Sequence, residues 1–85
     1  KLKFSAYVRI TALDKQGVLS NITKIFSQNK ISIKRIIQNP FKSKKYASIV
    51  IITHKSADEL LMKTISKLTK KPYIVRKPNL IRIDD

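Results

Sequence analysis

The sequence predicts an α+β sandwich of ferredoxin-like topology: six elements in the order βαββαβ, forming a four-stranded antiparallel sheet with both helices on one face. Three observations predict it. Apolar and polar residues alternate from Phe4 to Leu13, the period of a half-buried strand. Val18, Ile22, Ile25 and Phe26 follow at helical spacing, and Leu61, Ile65 and Leu68 repeat that spacing later. Three more β-rich runs lie between and after the two helices. In this layout the first and third strands are central.

Each element has its own warrant. In the first strand Phe4, Ala6, Val8, Ile10 and Ala12 share one face, and Ser5, Tyr7, Arg9 and Thr11 the other. "DKQG", residues 14–17, breaks the alternation. The first helix buries Val18, Ile22, Ile25 and Phe26, with Leu19 beside them; Ser20, Asn21, Lys24, Ser27 and Gln28 face outward, and "QNK" closes it without a glycine. "ISIKRIIQ", residues 31–38, reads as the second strand. In "NPFKSKK" Pro40 is expected to stop the ladder. "YASIVIIT", residues 46–53, is nearly continuously apolar and β-branched, which suits a central strand covered in part on both faces.

Ser56-Ala57-Asp58-Glu59 reads as a capping box. The Ser56 hydroxyl would accept from the Glu59 amide, and the Glu59 carboxylate from the Ser56 amide. Asp58 and Glu59 also favour the positive end of the helix dipole. Leu60 and Thr64 edge the buried stripe of this helix, and "KKP" ends it. "YIVRKPNLIRI" supplies the last strand, interrupted by Pro78. The sheet face without helices would carry Tyr7, Val50 and Ile52, a candidate association surface.

Composition bounds the function. Residues 1–85 suffice for one small domain, which buries only about 60–65% of its unfolded surface, so a partner subunit would help it. The chain opens on Lys1 rather than Met, which suggests a piece of a longer protein. With no cysteine it fits a reducing compartment, and a cytoplasmic location is expected. No apolar run approaches the ~20 residues of a membrane span, and the alternating start does not resemble a signal peptide. Nineteen Lys and Arg against five Asp and Glu leave a formal charge of +14. Such charge suits nucleic acid or an anionic membrane. Fifteen of the nineteen are scattered lysines, however, and scattered lysine solvates a surface rather than reads bases.

Catalysis has no candidate. His54 stands alone, without a cysteine or an organised nucleophile and base, and offers no metal-ligand set. One glycine cannot make a phosphate loop or a dinucleotide fingerprint.

That glycine, Gly17, stands at the mouth of the first helix. It has two readings. It turns the chain from strand to helix and permits close packing. Alternatively it lets a ligand approach the free amides of the first helical turn, which favour a carboxylate, while Asp14 takes an ammonium group. Amides and aspartate together describe an amino-acid site.

The stretch "LDKQGVLSNITKIFSQNKISIKRIIQ" resembles the ACT domain, a small regulatory module of amino-acid metabolism. The matching residues are Asp14, Lys15, Gly17-Val18-Leu19 and Ile31-Ser32-Ile33, with Gln16 where the family usually has proline. "SIVIITHKSADELLMKTISKL" and the closing "PNLIRIDD" are similar to the C-terminal end of bacterial homoserine dehydrogenases. The resemblance implies a regulatory domain that pairs as a homodimer. It implies an amino-acid effector, threonine, held by Asp14, Gln16, Gly17, Val18 and Leu19 of one copy and Ile31 and Ser32 of the next. It also implies an NAD(P) cofactor in a catalytic part outside this chain. Ser32 replaces a longer Asn found in some members.

Two other readings stay open. The same element order describes the RNA-recognition module, and "KYASIVII" echoes its basic-aromatic third strand. It lacks the glycine and second aromatic, and one or two tyrosines make a poor stacking platform, so nucleic acid is the less favoured partner. A dimerisation module without a ligand would have the same sequence features.

Overall fold

The computed structural model describes residues 2–40 and 45–83. Its elements are β1 (Lys3–Leu13), α1 (Val18–Gln28), β2 (Ile33–Pro40), β3 (Tyr46–Thr53), β4 (Ser56–Ala57), α2 (Asp58–Thr69) and β5 (Asn79–Ile83). This is the expected α+β sandwich, with β4 as an addition. β1 pairs antiparallel with β3 from Tyr7↔Ile52 to Leu13↔Tyr46, and with β5 from Ser5↔Ile83 to Arg9↔Asn79. β2 pairs with β3. The first and third strands are therefore central.

Register decides the faces. Val8↔Ile51, Ile10↔Ile49 and Ala12↔Ala47 lie on the helix side, where all six are buried. Against them pack Val18, Ile22, Ile25 and Phe26 of α1 and Leu61, Ile65 and Leu68 of α2. These are the residues that helical spacing marked. Each large side chain so buried contributes about 1.5–3 kcal/mol. Thr64, also buried, donates its hydroxyl to the Leu60 carbonyl at 2.8 Å. On the opposite face Tyr7 stands across from Ile52 and Arg9 from Val50, with Ile81 beside Tyr7 and Ile37 beside Val50. Among the described residues no helix covers this side. Ile81 is 59% exposed and Ile37 38%.

Helix α1 ends in a Schellman motif. The Ile31 amide donates to the Phe26 carbonyl and the Lys30 amide to Ser27, both at 2.9 Å. The residue between, Lys30, takes the left-handed φ of 62° usually left to glycine. The buried Asn29 side chain donates to the Ile25 carbonyl at 2.8 Å. Ile31 and Phe26, both in the core, supply the apolar contact that accompanies this motif.

Several local expectations need correction. The capping box does not form: Ser56 belongs to β4, opposite Phe4, and its hydroxyl donates to the His54 carbonyl at 3.2 Å. The N-cap of α2 is Ala57, with no side-chain cap. A strand pairing thus takes the serine that local sequence assigned to the helix. The second strand starts at Ile33 rather than Ile31, because Ile31 and Ser32 complete the turn out of α1. Pro40 does not stop the ladder; it pairs with Ala47 as the last residue of the outer strand β2, where a missing amide is tolerated. Phe41 to Lys44 of the expected loop lie outside the described residues.

The last strand comes in two pieces, as Pro78 suggested. Ile74 bridges Ala12, and the Val75 amide donates to the Thr11 carbonyl at 2.9 Å. Regular pairing resumes at Asn79↔Arg9, so the chain around the buried Pro78 bows away from β1. Where the β3 ladder ends, the Ala6 amide is satisfied by the buried Thr53 hydroxyl at 3.0 Å.

Candidate functional site

The loop from Asp14 to Gly17 is short and pinned at both ends. The Asp14 amide donates to the Lys45 carbonyl at 2.8 Å, and the Val18 amide to the Lys15 carbonyl at 3.2 Å. Gly17 is the N-cap of α1, at φ 87° and ψ −13°. L-residues rarely adopt that backbone, which accounts for a glycine here. Close packing does not: a Cβ built on Gly17 would meet nothing within 4 Å. Within the first reading of Gly17, the turn stands and the close packing does not.

The first intrahelical bond runs from the Asn21 amide to the Gly17 carbonyl at 3.0 Å. No side chain caps the helix, and its first turn holds no acidic residue. The Leu19 and Ser20 amides have no hydrogen-bond partner among the described residues. They present two donors and the positive end of a helix dipole beside exposed Asp14 and Gln16.

The seven residues expected at the site divide by burial. Asp14, Gln16, Gly17 and Ser32 are exposed, and Leu19 is half-buried. Val18 and Ile31 are core residues, so only their backbone faces a ligand. The two groups do not meet within one chain. Gly17 precedes α1 and Ile31-Ser32 follow it, and 11 helical residues span about 16 Å. The Ser32 carbonyl accepts from the His54 amide at 2.9 Å, which leaves its exposed side chain free of the ladder. Three surface hollows of about 560, 300 and 330 Å³ lie elsewhere, and none is lined by these seven residues.

Other candidate chemistry finds little support. Among the described residues no three His, Cys, Asp or Glu side chains gather around a point. His54 is an exposed residue just past β3. Among the described residues no helix is long and apolar enough to cross a membrane. On the open face of the central strands, the aromatics are Tyr7, opposite Ile52, and Tyr46, opposite Leu13. Six residues of strand put them about 20 Å apart, too far to stack neighbouring bases.

A sequence profile of the ACT domain family matches residues 6–70. The chain belongs to the ACT domain family. Homoserine dehydrogenase of Methylobacillus glycogenes is 32% identical over 80 residues, 93% of this chain and 19% of that protein. A crystal structure of a homoserine dehydrogenase from Thiobacillus denitrificans superposes on 99% of this chain with a TM-score of 0.87 and 27% identity, covering 18% of its own length. The isolated ACT domain of GTP pyrophosphokinase from Chlorobium tepidum covers 95% of this chain and 99% of its own, with a TM-score of 0.72 and 22% identity; this likeness is one of fold. The ACT domain described here thus spans about a fifth of the homoserine dehydrogenases it resembles.

Sequence reasoning missed one polar group. Tyr73, between α2 and β5, carries a buried hydroxyl with no hydrogen-bond partner among the described residues. The sequence places Tyr73 at the start of "YIVRKPNLIRI" and gives no sign of its buried hydroxyl, which depends on tertiary packing.

Proposed function

We propose that this ACT domain is the amino-acid-sensing and dimerising regulatory domain of a homoserine dehydrogenase, with threonine as the effector. The supporting observation is the α1 entrance: a left-handed Gly17 that exposes the Leu19 and Ser20 amides beside Asp14. The amides suit a carboxylate and Asp14 an ammonium group. The second wall, Ile31 and Ser32, stands at the far end of α1, so a second copy completes the site. β2 supports such pairing: it has one partner strand, and Ile36 and Ile37 on it are about 40% exposed. Effector binding would tie two domains together and shift an attached enzyme by the difference in affinity between its states. The NAD(P) cofactor belongs to a catalytic part outside these 85 residues, whose single glycine builds no dinucleotide loop.

Threonine should raise the thermal stability of the domain above that seen with other amino acids. At one hundred times the dissociation constant the gain is about 2.7 kcal/mol, or roughly 10 °C or more. Asp14→Ala should remove the response without unfolding the domain, and sedimentation should show a dimer.

Mixing variants tests the shared site directly. Asp14→Ala spoils one wall and Ser32→Trp the other, so each homodimer lacks a good site. In a mixed two-fold dimer one site regains both native walls, so an equimolar mixture should recover about a quarter of the sites. No recovery from two folded, dimeric variants would refute the two-copy site. A flat response to all twenty amino acids would leave only the assembly role.

A further inference from the structure

Helix α2 has one flank that neither the core nor the candidate effector site uses. By the helical period, Asp58, Met62, Ser66 and Thr69 form a stripe along it, to one side of the buried Leu61, Ile65 and Leu68. Met62 is 46% exposed, and Ser66 and Thr69 are exposed too. A hollow of about 330 Å³ opens on this flank, lined by Met62, Ile65, Ser66 and Thr69 together with Lys70 and Lys77. Lysine avoids the stripe itself. The chain carries fifteen lysines, yet Lys63 and Lys67 of α2 fall on its other flank. Exposed apolar surface without lysine has the composition of an interface rather than of a solvated face.

Arg82 braces this surface. Its guanidinium donates to Asp58 at 2.7 Å and to the Met62 sulfur at 3.5 Å, so two stripe residues are held in place before any contact forms. The charges say what fits. The stripe opens on Asp58, with Glu59 beside it, and ends at Lys70. Asp58 and Glu59 are two of the three acids among the described residues. About 18 Å of helix separates the acidic end from the basic one. A partner must be basic opposite Asp58, acidic opposite Lys70, and apolar with a small residue between. Turned end for end, α2 is that partner.

We propose that α2 packs antiparallel against α2 of a second copy of this chain. A two-fold axis near Thr64 sets Asp58 of each copy beside Lys70 of the other, and Met62 beside Ser66. The helix dipoles then oppose each other, and the small serine leaves room for the methionine. Twelve residues of helix make a small interface, so association through α2 alone is weak. Arg82 ties α2 to β5, which lies beyond β1 on the opposite side of the sheet from β2. The contact is thus separate from pairing through β2 and shares no residue with the Asp14–Gly17 loop.

The chain has no cysteine, so disulfide trapping reads the contact directly, whether or not β2 also pairs. Helix axes about 8–10 Å apart leave facing Cα atoms about 4–5 Å apart, within disulfide reach. An equimolar mixture of Met62→Cys and Ser66→Cys should form a disulfide between the two variants roughly tenfold faster than a mixture of Lys63→Cys and Lys67→Cys, which probes the other flank. Adding Asp58→Lys to the Met62→Cys chain should slow the reaction, because two lysines then meet. Adding Lys70→Glu to the Ser66→Cys chain should restore it, because the pair is remade with its charges exchanged. High salt should slow the native pair. Equal rates for the two flanks, or no restoration by Lys70→Glu, would overturn the proposal.

Discussion

Replacing Gly17 separates conformation from crowding. The backbone there sits at φ 87°, and a Cβ would touch nothing within 4 Å. Gly17→Ala therefore meets only the left-handed penalty, about 1–2 kcal/mol. Alanine also restricts the unfolded chain, which offsets roughly 0.4–1 kcal/mol. The net loss should be about 1 kcal/mol, or roughly 4–8 °C in melting temperature for a domain of this size. Gly17→Asn should cost less than alanine, because asparagine visits the left-handed region more readily. Urea titration and calorimetry on the three proteins give both numbers, and threonine titration of the asparagine variant tests the effector role proposed for the loop. A loss above about 3 kcal/mol would reveal crowding that this chain does not contain. Equal losses for alanine and asparagine would show that φ is not what glycine is there for.

Lys30→Gly should raise stability by about 0.5–1 kcal/mol, since it relieves a left-handed φ of 62° at some cost in chain entropy; a urea midpoint measures it. Arg82→Ala removes the ion pair in which the guanidinium donates to Asp58 at 2.7 Å, but the partners are 42% exposed, so the loss should stay below about 1 kcal/mol and shrink with salt. Tyr73 holds its proton to higher pH folded than unfolded, because burial raises its pKa. That stabilisation is complete below the ordinary value of 10 and is lost as pH rises through the folded value, so Tyr73→Phe should lose less stability than the parent between pH 9 and 11 in urea unfolding.

Elements with strong periodicity were legible in the sequence because burial imposes the period. Val18, Ile22, Ile25 and Phe26 all lie in the core, as do Ala6, Val8, Ile10 and Ala12. Central positions for β1 and β3 followed from topology and from the apolar run of β3. Element ends were less legible, because competing partners decide them. Ser56 had the right spacing for a cap, yet β1 recruited it into β4. The helix stop after "QNK" had no glycine to announce it, since Asn29 and a left-handed Lys30 perform the closure. The pairing of Ile74 with Ala12 depends on a bow around Pro78 that no local signal measures. At the candidate site, the break after β1 and the glycine before α1 were legible in the sequence. It could not show that Val18 and Ile31 are consumed by the core, or that α1 holds the two walls apart.

The two helix entrances explain why one loop, and not the other, suits an anionic ligand. Both follow a strand and both present a positive dipole end. At α2 the chain supplies its own counter-charge: Asp58 and Glu59 occupy the first turn, and Arg82 binds Asp58. A ligand carboxylate would meet two carboxylates already in place there. At α1 the first turn contains no acid and no side-chain cap. The carboxylate nearest in sequence, Asp14, stands outside the helix, four residues before its first residue, Val18. The amides are thus left for a carboxylate, while the aspartate is offset from them to meet an ammonium group. On the proposed function, that separation of opposite charges would match a zwitterion better than a simple anion.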